Sequence, residues 1–283
     1  MGVTRRTLDK KKLQGEKIAM VTAYDFPTAR IAEEAGAEIL LVGDSLGMVV
    51  LGYDSTIPVT LEDMLHHTKA VTRATKQSMV ITDLPFLIAH LSTDEVLKSA
   101  GKLMQEGFAY GVKLEGGEPV LEKIKVLTEA GVPVMGHLGL TPQSVNQLGG
   151  YVIQGREEPA IKQLRFDAKA VEAAGAFALV LECVPEEIAE EISNMLSIPV
   201  IGIGAGRYTD GQVLVIHDLL GIGGDWSPSF VKQFAAVGKS MQMGLNQYVK
   251  EVKSQTFPSE EHVIHLKEEV KLALYGGRVD GTS

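Results

Sequence analysis

Short apolar runs, many of them β-branched, alternate along the chain with stretches whose apolar positions recur every three to four residues. The runs fall at 18–22, 38–42, 79–82, 110–114, 133–135, 177–181, 198–203 and 213–216. Most are apolar on both faces, which suits parallel strands covered by helices better than half-exposed antiparallel ones. The amphipathic stretches repeatedly close on a glycine just before the next run: Glu34-Ala35-Gly36, Glu106-Gly107, Glu129-Ala130-Gly131 and Ala174-Gly175. Each such glycine is expected at a helix C′ position, where left-handed geometry costs it nothing. Strand and helix alternating eight times predict a (β/α)8 barrel of the TIM type; an open, doubly wound sheet is the alternative.

No linker or low-complexity segment interrupts the pattern, so one α/β barrel domain is expected over 1–257. The basic N-terminal stretch reads as a solvated arm, and 258–283 as a C-terminal helical tail. Phe230, Phe234, Val237, Met241 and Tyr248 are spaced as the apolar stripe of a helix, the candidate eighth helix of the barrel. A second stripe follows Pro258 at Val263, Leu266, Val270 and Leu274. It lies outside the repeat and must bury its apolar side against its own barrel or a neighbouring subunit.

Composition narrows the class. A chain of 283 residues with 45% hydrophobic content can bury a large core without staples. Cys183 stands alone, which excludes an intrachain disulfide, a CxxC pair and a cysteine-based zinc site, and fits a reducing compartment. Lys and Arg number 27 against 36 Asp and Glu, a net charge of −9, and an acidic chain is a poor partner for nucleic acid. No apolar run approaches the ~18 residues of a membrane span. The basic residues near the start are not followed by the apolar core of a signal peptide. Arg6 stands where a myristoylation signal wants Ser or Thr. A cytoplasmic protein is expected.

In such barrels the chemistry gathers at the carboxyl ends of the strands, and there the sequence places its charges. Asp44, Asp83 and Glu115 follow apolar runs on three successive strands. Any one of them alone could cap a helix or pair with a lysine. Three buried carboxylates brought together would repel unless a cation joined them, and an all-oxygen site favours Mg²⁺ over Zn²⁺. Lys113 and Glu115 are two apart and face the same side, and His137 comes one strand later; together they suit the binding of a substrate carboxylate or a developing enolate. Read singly, Lys113 would be an ion-pair partner of Glu115 and His137 a satisfied core histidine. Glu182 ends an apolar strand, a position suited to a general base. Cys183 beside it reads as packing. The run Gly202-Ile203-Gly204-Ala205-Gly206 offers a backbone nest for an anion, although it lacks the spacing of a dinucleotide fingerprint. His66-His67 reads as surface or packing.

Taken in order, several segments together resemble the ketopantoate hydroxymethyltransferase family. They are Thr22-Ala23-Tyr24-Asp25-Phe26-Pro27, Gly43-Asp44-Ser45-Leu46-Gly47-Met48, Asp83-Leu84-Pro85-Phe86, Lys113-Leu114-Glu115-Gly116-Gly117, 136–143, Leu181-Glu182-Cys183-Val184-Pro185 and 202–206. The resemblance implies a Mg²⁺-dependent barrel of the phosphoenolpyruvate/pyruvate superfamily. Such an enzyme moves a one-carbon unit from 5,10-methylenetetrahydrofolate to 3-methyl-2-oxobutanoate, giving 2-dehydropantoate for pantothenate biosynthesis. By the same resemblance Asp44, Asp83 and Glu115 surround the metal. Asp44, Ser45, Asp83, Lys113 and His137 line the keto-acid site, and Glu182 is the base. The resemblance also implies a large symmetric homo-oligomer, typically a decamer. It leaves the chain beyond His265 unexplained, since shorter family members are expected to stop before it. The rivals are a Mg²⁺-dependent 2-oxo acid lyase of the same superfamily and a catalytically silent barrel scaffold.

Overall fold

In the computed structural model, which describes residues 2–223 and 228–276, the eight runs form eight strands. They are β1 (Ile18–Thr22), β2 (Ile39–Val42), β3 (Met79–Asp83), β4 (Gly111–Glu115), β5 (Val134–Gly139), β6 (Ala178–Glu182), β7 (Val200–Ile203) and β8 (Gly211–Leu214). All neighbours are parallel and in chain order, and β8 pairs with β1 to close the barrel, which excludes the open sheet.

Strand periodicity sorts the side chains into two clusters. Val42, Val80, Val112, Leu114, Leu138, Leu179, Leu181 and Val200 point outwards into the layer shared with the surrounding helices. Ile18, Met20, Ile39, Leu41, Met79, Ile81, Met135, Val180, Ile201 and Val213 fill the interior. The same inward positions, continued to the carboxyl ends, become Asp83, Lys113, Glu115, His137 and Glu182. The barrel is thus packed below and polar at its mouth.

The N-terminal stretch is not a solvated arm. It forms the helix Arg5–Gln14, begun by a Thr4/Thr7 capping box and ended by Gly15 in the left-handed region. Its one buried side chain, Leu8, joins the interior cluster. Lys12 Nζ donates to Ser193 O at 2.8 Å and to Asp210 Oδ2 at 2.6 Å, and Lys11 Nζ lies 2.6 Å from Glu38 Oε1. Lys11 and Lys12 are therefore anchors to the barrel. Leu8→Ala is expected to destabilise the fold by about 2–5 kcal/mol, the range for a buried leucine truncation. Urea unfolding would measure it, and an unchanged midpoint would mean that Leu8 is not a plug.

Two further expectations need correction. Gly36, Gly131 and Gly175 have the positive φ expected at helix ends, but at Gly107 the left-handed residue is Phe108 (φ 59). Gly107 is needed for close approach instead, because a Cβ there would collide with the Leu103 carbonyl. The strand–helix alternation also lapses once: residues 204–210 join β7 to β8 without a helix. Turns at Gly204 (φ 60) and Gly206 (φ 77) make so short a connection possible.

The chain divides into two compact units, Met1–Ala235 and a second from Ala236 onward. In the first, Phe230 and Phe234 lie outside any helix, and Phe230 packs on Gly204, where a Cβ would meet its ring at 2.8 Å. The expected stripe is therefore helical only from Val237. In the second unit Val237–Lys253 and Glu268–Tyr275 are helical, with a 3-10 turn at Glu260–His262 between them. Of the second stripe only Val270 and Leu274 are helical, and neither helix buries a residue. Residues 277–283 of the expected tail lie outside the described residues. No helix among the described residues is long and apolar enough to cross a membrane.

Candidate active site

Strand register brings the mouth residues together. Asp83 stands beside Lys113 across β3 and β4, and Glu115 beside His137 across β4 and β5. Lys113 Nζ lies 3.1 Å from Asp83 Oδ1, 3.9 Å from Glu115 Oε1 and 3.1 Å from His137 Nδ1. His137 spans the site, with Nδ1 at 3.3 Å from Glu115 Oε1 and Nε2 at 3.3 Å from Glu182 Oε2. Asp44 joins through the backbone, its N–H donating to Asp83 Oδ2 at 3.1 Å. Asp44, Asp83, Lys113, Glu115 and His137 are all buried, whereas the Glu182 side chain keeps 16% of its exposure and faces the open mouth.

The electrostatics follow from burial. Burial, then the carboxylates of Asp83 and Glu115, pushes Asp44 well above the usual carboxylate range against the pull of Lys113 and Gln143. Asp83 is also raised, by burial and by Glu115, although Lys113 opposes this. Glu115 is the exception: burial raises it, but His137, Lys113 and the Gln143 N–H together bring it below its ordinary value. Burial works against the Lys113 ammonium, yet the three carboxylates lift its pKa above the ordinary value. Burial and Lys113 likewise oppose a charged His137, but Glu115 and Glu182 outweigh them and carry it to about 9. His137 is thus an imidazolium at neutral pH.

Four carboxylates therefore share two cations, Lys113 and His137. The unbalanced negative charge and the all-oxygen donor set, with the Asp83 Oδ1 contact to Lys113 as the ammonium's closest carboxylate approach, fit a hard divalent cation. Among the described residues no three His, Cys, Asp or Glu side chains converge on a single point as they stand, so the fit is one of charge and donor chemistry.

Ser45 lies at the start of the helix Leu46–Val49 but does not cap it; its Oγ instead meets the buried Tyr24 hydroxyl at 2.9 Å. Sequence reasoning quoted Tyr24 only within a motif and gave it no role. Gln143, whose amide reaches Asp44 and whose N–H reaches Glu115, was likewise quoted only as the end of a motif. Tyr151 is a third omission. Burial, with Glu182, Asp44 and Glu115, raises its phenol, so it overlooks the same carboxylates. None of the three stands out by residue type, and only their neighbours in space reveal them.

The remaining candidates resolve as packing. His67 Nδ1 lies 2.6 Å from Tyr24 O, and its ring stands edge-on to His66. The glycine run after β7 serves the protein's own carboxylate: Arg207 N–H donates to Glu186 Oε2 at 2.9 Å, and Gly206 leaves no room for a Cβ beside Glu186. Burial, then Glu182, pushes the Cys183 thiol up to about 11, so it is not a nucleophile at neutral pH. Iodoacetamide at pH 7.5 is expected to alkylate Cys183 about 100-fold more slowly than a free cysteine, because the thiolate fraction falls tenfold per unit of pKa. Rapid labelling followed by mass spectrometry would contradict this.

A sequence model of the ketopantoate hydroxymethyltransferase family matches residues 2–260. The chain is 55% identical over 275 residues to the 3-methyl-2-oxobutanoate hydroxymethyltransferase of Bacillus cereus (strain G9842), covering 97% of this chain and 99% of the relative. It is 57% identical over 274 residues to the enzyme of the same name from Halalkalibacterium halodurans, covering 97% and 98%. Relatives of this length extend past His265, so the C-terminal tail is largely shared with them. Solved structures share the fold at much lower identity. Phosphonopyruvate hydrolase in complex with oxalate and Mg²⁺ matches with a TM-score of 0.61 at 11% identity, covering 96% of this chain and 95% of that one. A 2,3-dimethylmalate lyase of the PEP mutase/isocitrate lyase superfamily matches with 0.57 at 15%, covering 98% and 100%. With the family model matched over most of its length and relatives above half identity end to end, the chain belongs to the ketopantoate hydroxymethyltransferase family.

Proposed function

We propose that this chain is the enzyme that transfers a hydroxymethyl group to 3-methyl-2-oxobutanoate through its enolate, with 5,10-methylenetetrahydrofolate as donor and Mg²⁺ as cofactor, giving 2-dehydropantoate in the cytoplasm. The observation that carries this reading is the continuous buried row Asp83–Lys113–Glu115–His137–Glu182 at the barrel mouth, with one carboxylate left open at its end.

A C–H beside a ketone is too weakly acidic to yield its proton to a carboxylate unless the enolate is stabilised as it forms. Asp44, Asp83 and Glu115 would hold the Mg²⁺, which supplies Lewis-acid stabilisation of that charge when bound. Lys113 and the Ser45 hydroxyl hold the substrate carboxylate, and His137, between Glu115 and Glu182, offers a ring N–H beside the reacting centre. Glu182 accepts the C3 proton, and the C–H electron pair becomes the enolate double bond. Water adds to the methylene carbon of the folate and both of its C–N bonds break, the water protons going to the two nitrogens of the departing tetrahydrofolate. C3 forms its new bond to the released formaldehyde carbon, whose oxygen takes the proton held by Glu182 and becomes the hydroxyl.

Incubation with 3-methyl-2-oxobutanoate in D₂O, with and without Mg²⁺, tests the first half; adding methylenetetrahydrofolate and following 2-dehydropantoate tests the second. Metal-independent exchange, or no product with the folate present, would overturn the reading. The 2-oxo acid lyase alternative is disfavoured by Cys183, whose thiol is protonated at neutral pH and which sits at a strand end. The silent scaffold is disfavoured because all three acids and Glu182 are retained.

The same reading includes a homo-oligomer, a decamer by family resemblance. The helices Val237–Lys253 and Glu268–Tyr275 present Met241, Tyr248, Val270 and Leu274 without burying them. Light scattering of the full chain and of a truncation after Pro258 is expected to show a large assembly that shrinks on truncation. A monomeric full chain would remove the oligomer from the reading.

A further inference from the structure

We propose that Gln143 is the positioning residue of the cation site, holding Asp44 in the orientation in which it receives a divalent ion and fixing Glu115 beside it. The inference rests on the Mg²⁺ reading above and concerns a residue outside the expected ligand set.

Gln143 lies in the 3-10 turn Pro142–Ser144, just beyond β5. It ties together the ends of three strands. Its backbone N–H donates to Glu115 Oε2 at 3.0 Å, at the end of β4. Its side-chain Nε2 donates to Asp44 Oδ2 at 2.7 Å, after β2, and to the Leu84 carbonyl at 2.9 Å, after β3. The amide has two N–H groups and both are used. A carbonyl can only accept, so Leu84 fixes which way the amide faces, and Gln143 is therefore a donor to Asp44 and not an acceptor from it.

The consequence lies in which oxygens stay free. Among the described residues Gln143 is the one hydrogen-bond donor to the Asp44 carboxylate. With Oδ2 held, the group cannot spin, and Oδ1 is left to a ligand. At Glu115 the Gln143 N–H takes Oε2 and Oε1 lies against Lys113 and His137, so Asp44 Oδ1 is the oxygen that Gln143 leaves open, with the Glu115 charge fixed beside it. The turn that carries Gln143 is itself fixed: Leu140 N–H donates to Glu182 O at 2.8 Å, Ser144 N–H to Thr141 O at 2.8 Å, and Val145 is buried. One residue thus sets two carboxylates against a frame anchored at Glu182. Outer partners of this kind commonly change metal affinity or activity by about 10- to 100-fold when removed.

Gln143→Met keeps the length of the side chain and the backbone N–H to Glu115 but deletes the amide. Mn²⁺ titration followed by electron paramagnetic resonance, without either substrate, is expected to show the variant binding at least about tenfold more weakly than the wild type. Its metal-free melting temperature is measured alongside. A lowered melting temperature with Mn²⁺ affinity within twofold of the wild type would make Gln143 a structural residue only and overturn the proposal. Wild-type protein that binds no Mn²⁺ would overturn the metal reading and this proposal with it. Gln143→Asn, polar but one methylene too short to keep both donations, serves if the Met variant does not fold and is expected to show the same loss.

Discussion

Glu182→Gln is expected to leave keto-acid and metal binding in place while slowing exchange of the substrate C3 proton with solvent deuterium by about 10²- to 10⁴-fold, the usual contribution of a positioned base. The amide is nearly isosteric with the carboxylate but cannot take a proton. The neighbourhood also offers no substitute at neutral pH. His137, 3.3 Å away, loses the contribution of Glu182 in the variant but keeps the larger one of Glu115, which still favours its charged form. Burial, the larger of the two causes, continues to raise the Cys183 thiol once the Glu182 charge is gone. The Tyr151 phenol is raised by burial and by the surrounding carboxylates. Proton NMR in D₂O without the folate isolates this step from carbon–carbon bond formation. Exchange at the wild-type rate in Glu182→Gln would move the base to another residue.

The strands were legible because both of their faces are buried, which makes each a compact apolar run; the inward-facing charges at their ends were legible because side chains alternate with period two. Asp83, Lys113, Glu115, His137 and Glu182 could thus be placed at one mouth from spacing alone. What composition hid was the helix Arg5–Gln14. Its lysines suggested solvent, yet one buried leucine and two lysine anchors suffice to dock it. Periodicity misled at Phe230 and Phe234, where irregular chain happens to repeat apolar residues at helical spacing. The missing helix between β7 and β8 was foreshadowed by the glycine run, but glycines serve nests and tight turns equally. Gln143 was illegible for a different reason: part of its contact is a backbone N–H, and the rest depends on an irregular turn that no period describes. The proposed cation site was legible only as an excess of carboxylates. The structure adds that Asp44 and Asp83 are raised and Glu115 is not, a distinction set by where His137 and Gln143 fall.

Asp44→Ala and Asp83→Ala are each expected to abolish Mg²⁺-dependent exchange while raising the metal-free melting temperature. The two effects have one cause. Burial and the neighbouring carboxylates raise the folded-state pKa of both acids, so the native state binds protons more tightly than the unfolded chain does. Stability from such a group is fully present below the unfolded pKa, ordinarily about 3.9, and is lost as pH rises through the higher folded value. At neutral pH each ionised acid therefore weighs against the fold. On the proposed reading a divalent cation is expected to reverse the balance, because a ligand that binds only the folded arrangement stabilises it in proportion to its occupancy. Wild-type protein should accordingly gain thermal stability with added Mg²⁺, and the two variants should start higher and gain little. Differential scanning calorimetry at pH 7.5 over a Mg²⁺ series reads both quantities. A variant that melts below the metal-free wild type would show that the carboxylate is a structural partner, as the Asp83–Lys113 contact at 3.1 Å would allow. A variant that keeps the full Mg²⁺ response would remove that residue from the cation site.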